Sequence, residues 1–156
     1  MLKTFTRIIA PGLFNAGWVK EGSILRMGWP TSPAGYDSLK ELGIKTRINL
    51  RTMHSDESVC KRVGIRYLPL PIDELNPLSV NELRNAVDIL TDQTVLPIVF
   101  GCAAGSDRTG LFALCYRVWE DKWTKDEALA EMYDYVNPQF RLPELWHGIS
   151  ERIEEL

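Results

Sequence analysis

Strands alternating with helices along the chain predict an α/β fold, a central mostly parallel sheet flanked by helices. Short runs rich in β-branched and aliphatic residues, such as 24–27, 45–50, 66–70 and 95–100, are separated by segments with helical periodicity. The last of these runs feeds a polar loop from Cys102 to Arg108, and an apolar helix follows at once. In open α/β sheets ligands bind outside the carboxyl ends of strands, which is where this loop and Arg51 fall.

In order, residues 18–22 read as a strand end and turn, followed by a short strand over 24–27. Thr31-Ser32-Pro33 opens a helix, with Ser32 as the cap, Pro33 in the first turn and Gly43 at the exit. Tyr36, Leu39 and Leu42 give that helix one buried face. A strand over 45–50 ends at Arg51, and a short helix over 55–63 stops at Gly64. The strand over 66–70 is broken by Pro69 and Pro71. A loop carrying Asp73 and Glu74 then leads to Ser79 and Glu82, the pattern of a capping box, ahead of the stripe Val80, Leu83, Val87 and Leu90. The helix after the Cys102–Arg108 loop is apolar on nearly every side and should be central. Thr124 and Glu127 form a second capping box for a helix to about Tyr135. A last amphipathic helix from Leu142 turns Leu145, Ile149 and Ile153 inward.

The chain has 156 residues, enough for one domain (1–156) with a proper core, and no repeat, linker or low-complexity tract divides it. Apolar residues at 45% and charged residues at 25% are ordinary for a globular protein. A net charge of −3 gives no general footprint for nucleic acid or an anionic membrane, so any recognition of an anion must be local. Cys60, Cys102 and Cys115 are a sparse, odd set, so reduced thiols in a cytoplasmic setting are expected. The N-terminal Ile8-Ile9-Ala10 is too short for a signal h-region or a membrane span, and whether a leader has been removed stays open. No Cys/His cluster has metal-ligand spacing, and no metal or cofactor is expected.

The loop Cys102-Ala103-Ala104-Gly105-Ser106-Asp107-Arg108 has the features of an anion trap with a nucleophile in it. Small residues let successive backbone N–H groups turn inward, and the helix N-terminus adds partial positive charge. Arg108 can grip two phosphate oxygens with its planar fork. A positive field of this kind favours the thiolate form in which cysteine is nucleophilic. Thr109 follows with a hydroxyl able to donate to the sulfur. Arg51 and His54 can line the mouth and bind a second anionic group, while His147 reads as a helix-face residue. Cys60 and Cys115 read as core thiols.

At these residues the chain resembles the cysteine-dependent phosphatases, the superfamily of tyrosine and dual-specificity phosphatases. Their signature, His-Cys-x5-Arg-Ser/Thr followed by Gly, stands here as Gly101-Cys102-x5-Arg108-Thr109-Gly110. Gly101 in place of His is the main departure. The runs Arg26-Met27-Gly28-Trp29-Pro30, Asn49-Leu50-Arg51 and His54-Ser55-Asp56 are similar to runs of compact bacterial dual-specificity-like members, and with the loop the likeness spans about residues 24–135.

The resemblance implies hydrolysis of a phosphate monoester through a phosphocysteine at Cys102. Arg108 and the amides of residues 103–108 hold the phosphoryl oxygens, and Thr109 helps the thiolate leave. Asp73 is the general acid by analogy with the upstream loop Asp of the superfamily. Asp107 is its rival, by likeness to myotubularin- and Sac-type phosphoinositide phosphatases. Phosphorylated protein and inositol phosphate substrates are both compatible. The alternatives are a catalytically weak phosphate-binding module, motivated by Gly101 and tested by Gly101→His, and a sulfur- or arsenate-handling enzyme with a similar loop.

Overall fold

The computed structural model of the protein describes residues 6–73, 75–136 and 143–156, without the side chains of residues 143–147. Glu74, Leu142 and the side chains of Leu145 and His147 therefore lie outside the described residues.

Among the described residues one sheet runs in the order β1-β2-β3-β6-β4-β5. Its strands are β1 (Thr6–Arg7), β2 (Gly17–Lys20), β3 (Ile24–Met27), β4 (Thr46–Asn49), β5 (Arg66–Pro69) and β6 (Ile98–Gly101). The four strands β3, β6, β4 and β5 are parallel, and β1 and β2 extend the sheet antiparallel from β3. The parallel centre is as expected; the antiparallel edge is a hairpin, turned at residues 21–23, plus a two-residue strand too short to leave a pattern.

Side chains of the central strands alternate between two apolar layers, as a two-residue period requires. Ile24, Ile48, Ile98 and Phe100 face one layer, and Leu25, Met27 and Val99 face the other. The first layer is covered by α3 (Val80–Val87), α4 (Asp107–Trp119) and α5 (Lys125–Asp134), and α6 (Pro143–Glu154) packs on α4 through the buried Ile149 and Ile153. The second is covered by α1 (Ala34–Glu41) and α2 (Glu57–Val63), through Tyr36, Leu39 and Cys60. Every residue of α4 from Asp107 to Arg117 is buried, which fits a helix without a polar face.

Both capping boxes form: Ser79 with Glu82 opens α3, and Thr124 with Glu127 opens α5. The expected cap at Ser32 does not. Pro33 is the N-cap of α1 without a side-chain bond, and Ser32 contributes its carbonyl to Gly35 N instead. The strand expected from Val95 begins only at Ile98, after a cis Leu96-Pro97 bond. The Pro97 carbonyl there accepts from Lys45 N and Thr46 N. The register sets Met27, Gly101 and Asn49 level across three strands. The loop from Cys102 and the segment from Leu50 thus leave the same edge of the sheet together.

Candidate active site

The loop between β6 and α4 is held by its outer side. Ala103 O accepts from Trp29 N at 2.8 Å, Ala104 O from Asn15 Nδ2 at 2.9 Å, and Gly105 O from Arg26 Nη2 at 3.0 Å. In a planar trans peptide the carbonyl and the next N–H point opposite ways. Tying three successive carbonyls outward therefore turns the N–H groups of Ala104, Gly105 and Ser106 toward the centre of the loop. Gly105 makes the turn possible: its φ is +72°, and a Cβ there would meet Gly28 N at 2.5 Å. The N-terminus of α4 closes the ring, giving a nest for an anion.

Cys102 opens the loop and is 2% exposed. Thr109 Oγ1 accepts from Cys102 N and donates to Cys102 Sγ, both at 2.9 Å. Because the amide occupies an acceptor lone pair, the one hydroxyl proton is directed at the sulfur. Arg108, in the first turn of α4, is mostly buried beside this group, and Asp107 before it is also buried. Ser106 Oγ donates to Tyr135 O at 2.8 Å, tying the loop to the end of α5.

Two arginines that carried no assigned role in the sequence stand behind the loop. Arg26 is buried against the Tyr135 ring, 3.6 Å from its centroid. Burial pulls its guanidinium down to about 10, against the opposing pull of Tyr135, Glu131 and Cys102. Arg47 is fully buried and donates through Nε to Asp56 Oδ2 at 3.1 Å. Strand periodicity puts Arg47 on the face of Asn49, yet an arginine inside a strand carries no signal that its charge will be buried. Asn15 and Tyr135, far apart in sequence, meet the loop through tertiary contacts alone.

Arg51 and His54 lie on the Arg108 side of the loop. They line a cavity of about 200 Å³ with Thr52, Met53 and Arg108. They also line a neighbouring one of about 320 Å³ with Asn49, Tyr67 and Pro69. The Arg51 guanidinium stacks 4.6 Å from the Trp29 ring. Its affinity for a proton is lowered by burial first and then by Arg108, while Cys102 pulls the other way. Asp73 occupies the exposed loop between β5 and α3, where its Oδ1 accepts from Leu75 N at 2.8 Å and Asn76 N at 3.3 Å. Neither cavity is lined by it.

Gly101 has a steric reason. A Cβ there would lie 2.2 Å from Met27 O, on the adjacent parallel strand, and 3.2 Å from Arg47 Nη1. No side chain fits without parting β3 from β6.

The chain and its fold have counterparts in known proteins. A family model described as "Polymorphic toxin system, DSP-PTPase phosphatase" matches residues 24–122. The dual specificity protein phosphatase TpbA of Pseudomonas aeruginosa is 31% identical over 99 residues, 60% of this chain and 43% of TpbA. The match thus spans less than half the length of that curated relative. The crystal structure of TpbA superposes with a TM-score of 0.81 at 21% identity, covering 97% of this chain and 90% of that one. The core catalytic domain of the PP-IP phosphatase SIW14 from S. cerevisiae does so with 0.72 at 22% identity, covering 93% and 88%. Those two likenesses are of fold. The family match takes in β3, the Arg51 segment, the whole Cys102 loop and α4, and on it the chain belongs to the DSP-PTPase phosphatase family.

Proposed function

We propose that the protein hydrolyses phosphate monoesters through a phosphocysteine on Cys102. The single observation that carries this reading is the Thr109 hydroxyl shared between the Cys102 amide and sulfur, beside a loop whose carbonyls at 103, 104 and 105 are drawn outward. In the first step the Cys102 sulfur attacks phosphorus and the bond from phosphorus to the leaving oxygen breaks. Loop amides and Arg108 bind the non-bridging oxygens, where charge is held through the transition state. A carboxylic acid protonates the leaving oxygen. Water then displaces the sulfur from phosphorus, with Thr109 donating to the departing thiolate.

Asp73 is our candidate for the acid. Its Oδ1 is engaged by the backbone of its own loop, which leaves Oδ2 to carry the proton. Asp107, buried at the start of α4, is the rival.

For the substrate we propose a phosphorylated protein side chain or an inositol phosphate. A TpbA variant is known in complex with pTyr, and SIW14 is a PP-IP phosphatase, so both kinds occur on this fold. The cavity shared by Arg108, Arg51 and His54 favours the reading in which a second phosphate sits beside the first. Intact-mass analysis after rapid alkaline denaturation of a reacting mixture tests the mechanism: the proposal expects a phosphoryl adduct on Cys102. An adduct on another residue, or turnover with none at any quench time, contradicts it. A chain that binds vanadate but never turns over would instead be the phosphate-binding module.

A further inference from the structure

Arg47 is a buried charge that the reaction as written leaves unused. Its Nε bonds to Asp56 Oδ2, which also accepts from Tyr36 Oη at 2.9 Å, and the guanidinium carbon lies 5.5 Å from the Trp29 ring centroid, whereas Nη1 and Nη2 have no hydrogen-bond partner among the described residues. A buried guanidinium with most of its donors unbonded is costly to keep. The register shows what it lies against. Arg47 pairs with Val99 in the ladder, and Gly101, two residues on, presents its missing side chain to the same face. Nη1 is 3.2 Å from where that Cβ would be. Cys102, the next residue, projects to the opposite face, toward Thr109. The guanidinium therefore backs the peptide that carries the sulfur.

We propose that Arg47 is a positioning residue for Cys102: it packs, with Met27 O, against the position where glycine at 101 lacks a side chain, and sets a fixed positive charge behind the peptide that carries the sulfur. This rests on Cys102 being the nucleophile. The charged and titratable groups around Arg47 are Asp56 ahead of α2, Tyr36 on α1, Cys60 on α2 and Arg51 after β4. Those around Cys102 are Arg26 on β3, Arg51, and Asp107 and Arg108 on α4. Asp56 offsets part of the Arg47 charge. Removing one partner or the other thus changes the field at the sulfur in opposite directions, which a purely structural brace would not do.

The test is the pH dependence of Cys102 alkylation by iodoacetamide, followed by mass spectrometry on the full chain, for wild type, R47M, R47K and D56N. Burial pushes Cys60 and Cys115 up to about 12, so both stay silent below that range. The expected alkylation profile moves to higher pH in R47M, stays near wild type in R47K and moves to lower pH in D56N. Should R47M fail to fold, D56N decides: a downward shift supports the inference, and no shift or an upward one overturns it. R47M and D56N moving the same way, or neither moving in folded protein, also overturns it. A wild-type Cys102 that iodoacetamide never modifies below pH 9 sinks the nucleophile reading itself, a distinct result.

Discussion

Thr109 Oγ1 lies 2.9 Å from both the amide nitrogen and the sulfur of Cys102, accepting from one and donating to the other. One hydroxyl thus joins the first residue after β6 to the first turn of α4, and its proton has the sulfur as its target. Thr109→Val keeps the shape and removes the proton. A hydrogen bond to a charged group contributes about 1.5–3 kcal/mol, so kcat should fall roughly 10- to 100-fold, with Thr109→Ser close to wild type. Steady-state kinetics on an aryl phosphate checks it; equal activity in both variants would remove Thr109 from the mechanism.

Gly101→His, which the sequence suggests as a way to restore the family signature, should instead damage the fold. The clash is with the Met27 backbone carbonyl, 2.2 Å from a Cβ at 101, and backbone in a paired strand cannot step aside as a flexible side chain would. Gly101→Ala already meets it, and overpacking of this kind costs about 1–3 kcal/mol. Urea unfolding of Gly101→Ala measures the loss; wild-type stability would refute the steric account.

The two buried thiols away from the loop predict an alkaline weakness. Burial raises Cys60 and Cys115 from the ordinary 9.0 to about 12. Between those values the unfolded chain has released protons that the folded chain keeps. Stability therefore falls as pH rises through that window. Urea midpoints at about pH 8 and pH 10.5 should differ less in Cys60→Ala and Cys115→Ala than in wild type. The comparison is made within each variant, so the packing lost with the side chain does not enter. An unchanged difference in both variants would count against the assignment.

The acid separates by leaving group. A poor alkyl leaving group needs a proton, and a good aryl one hardly does. General acid catalysis contributes about 10²- to 10⁴-fold. If Asp73 is the acid, Asp73→Asn loses that factor on an alkyl phosphate and little on p-nitrophenyl phosphate, while Asp107→Asn loses similar amounts on both. The reverse pattern would assign the role to Asp107.

How far the sequence could be read follows from how local each feature is. The capping boxes at Ser79 and Thr124, the apolar α4 and the loop with Thr109 are set by neighbours a few residues apart, and all appear as expected. Pro33 displaced Ser32 at the start of α1, since its fixed φ suits the helix turn without a side-chain bond. Arg26 and Arg47 were out of reach because their meaning lies in Tyr135, Gly105 and Asp56, which only the tertiary fold brings near. Gly101 looked like a missing group. Its cause sits on the two neighbouring strands, in Met27 and Arg47.

Turnover of p-nitrophenyl phosphate by wild type and Cys102→Ser, without added metal, bears most directly on the central claim. The account predicts hydrolysis by the wild type and none above background in the variant, with the variant still binding phosphate through Arg108 and the loop amides. Equal turnover by both would contradict it.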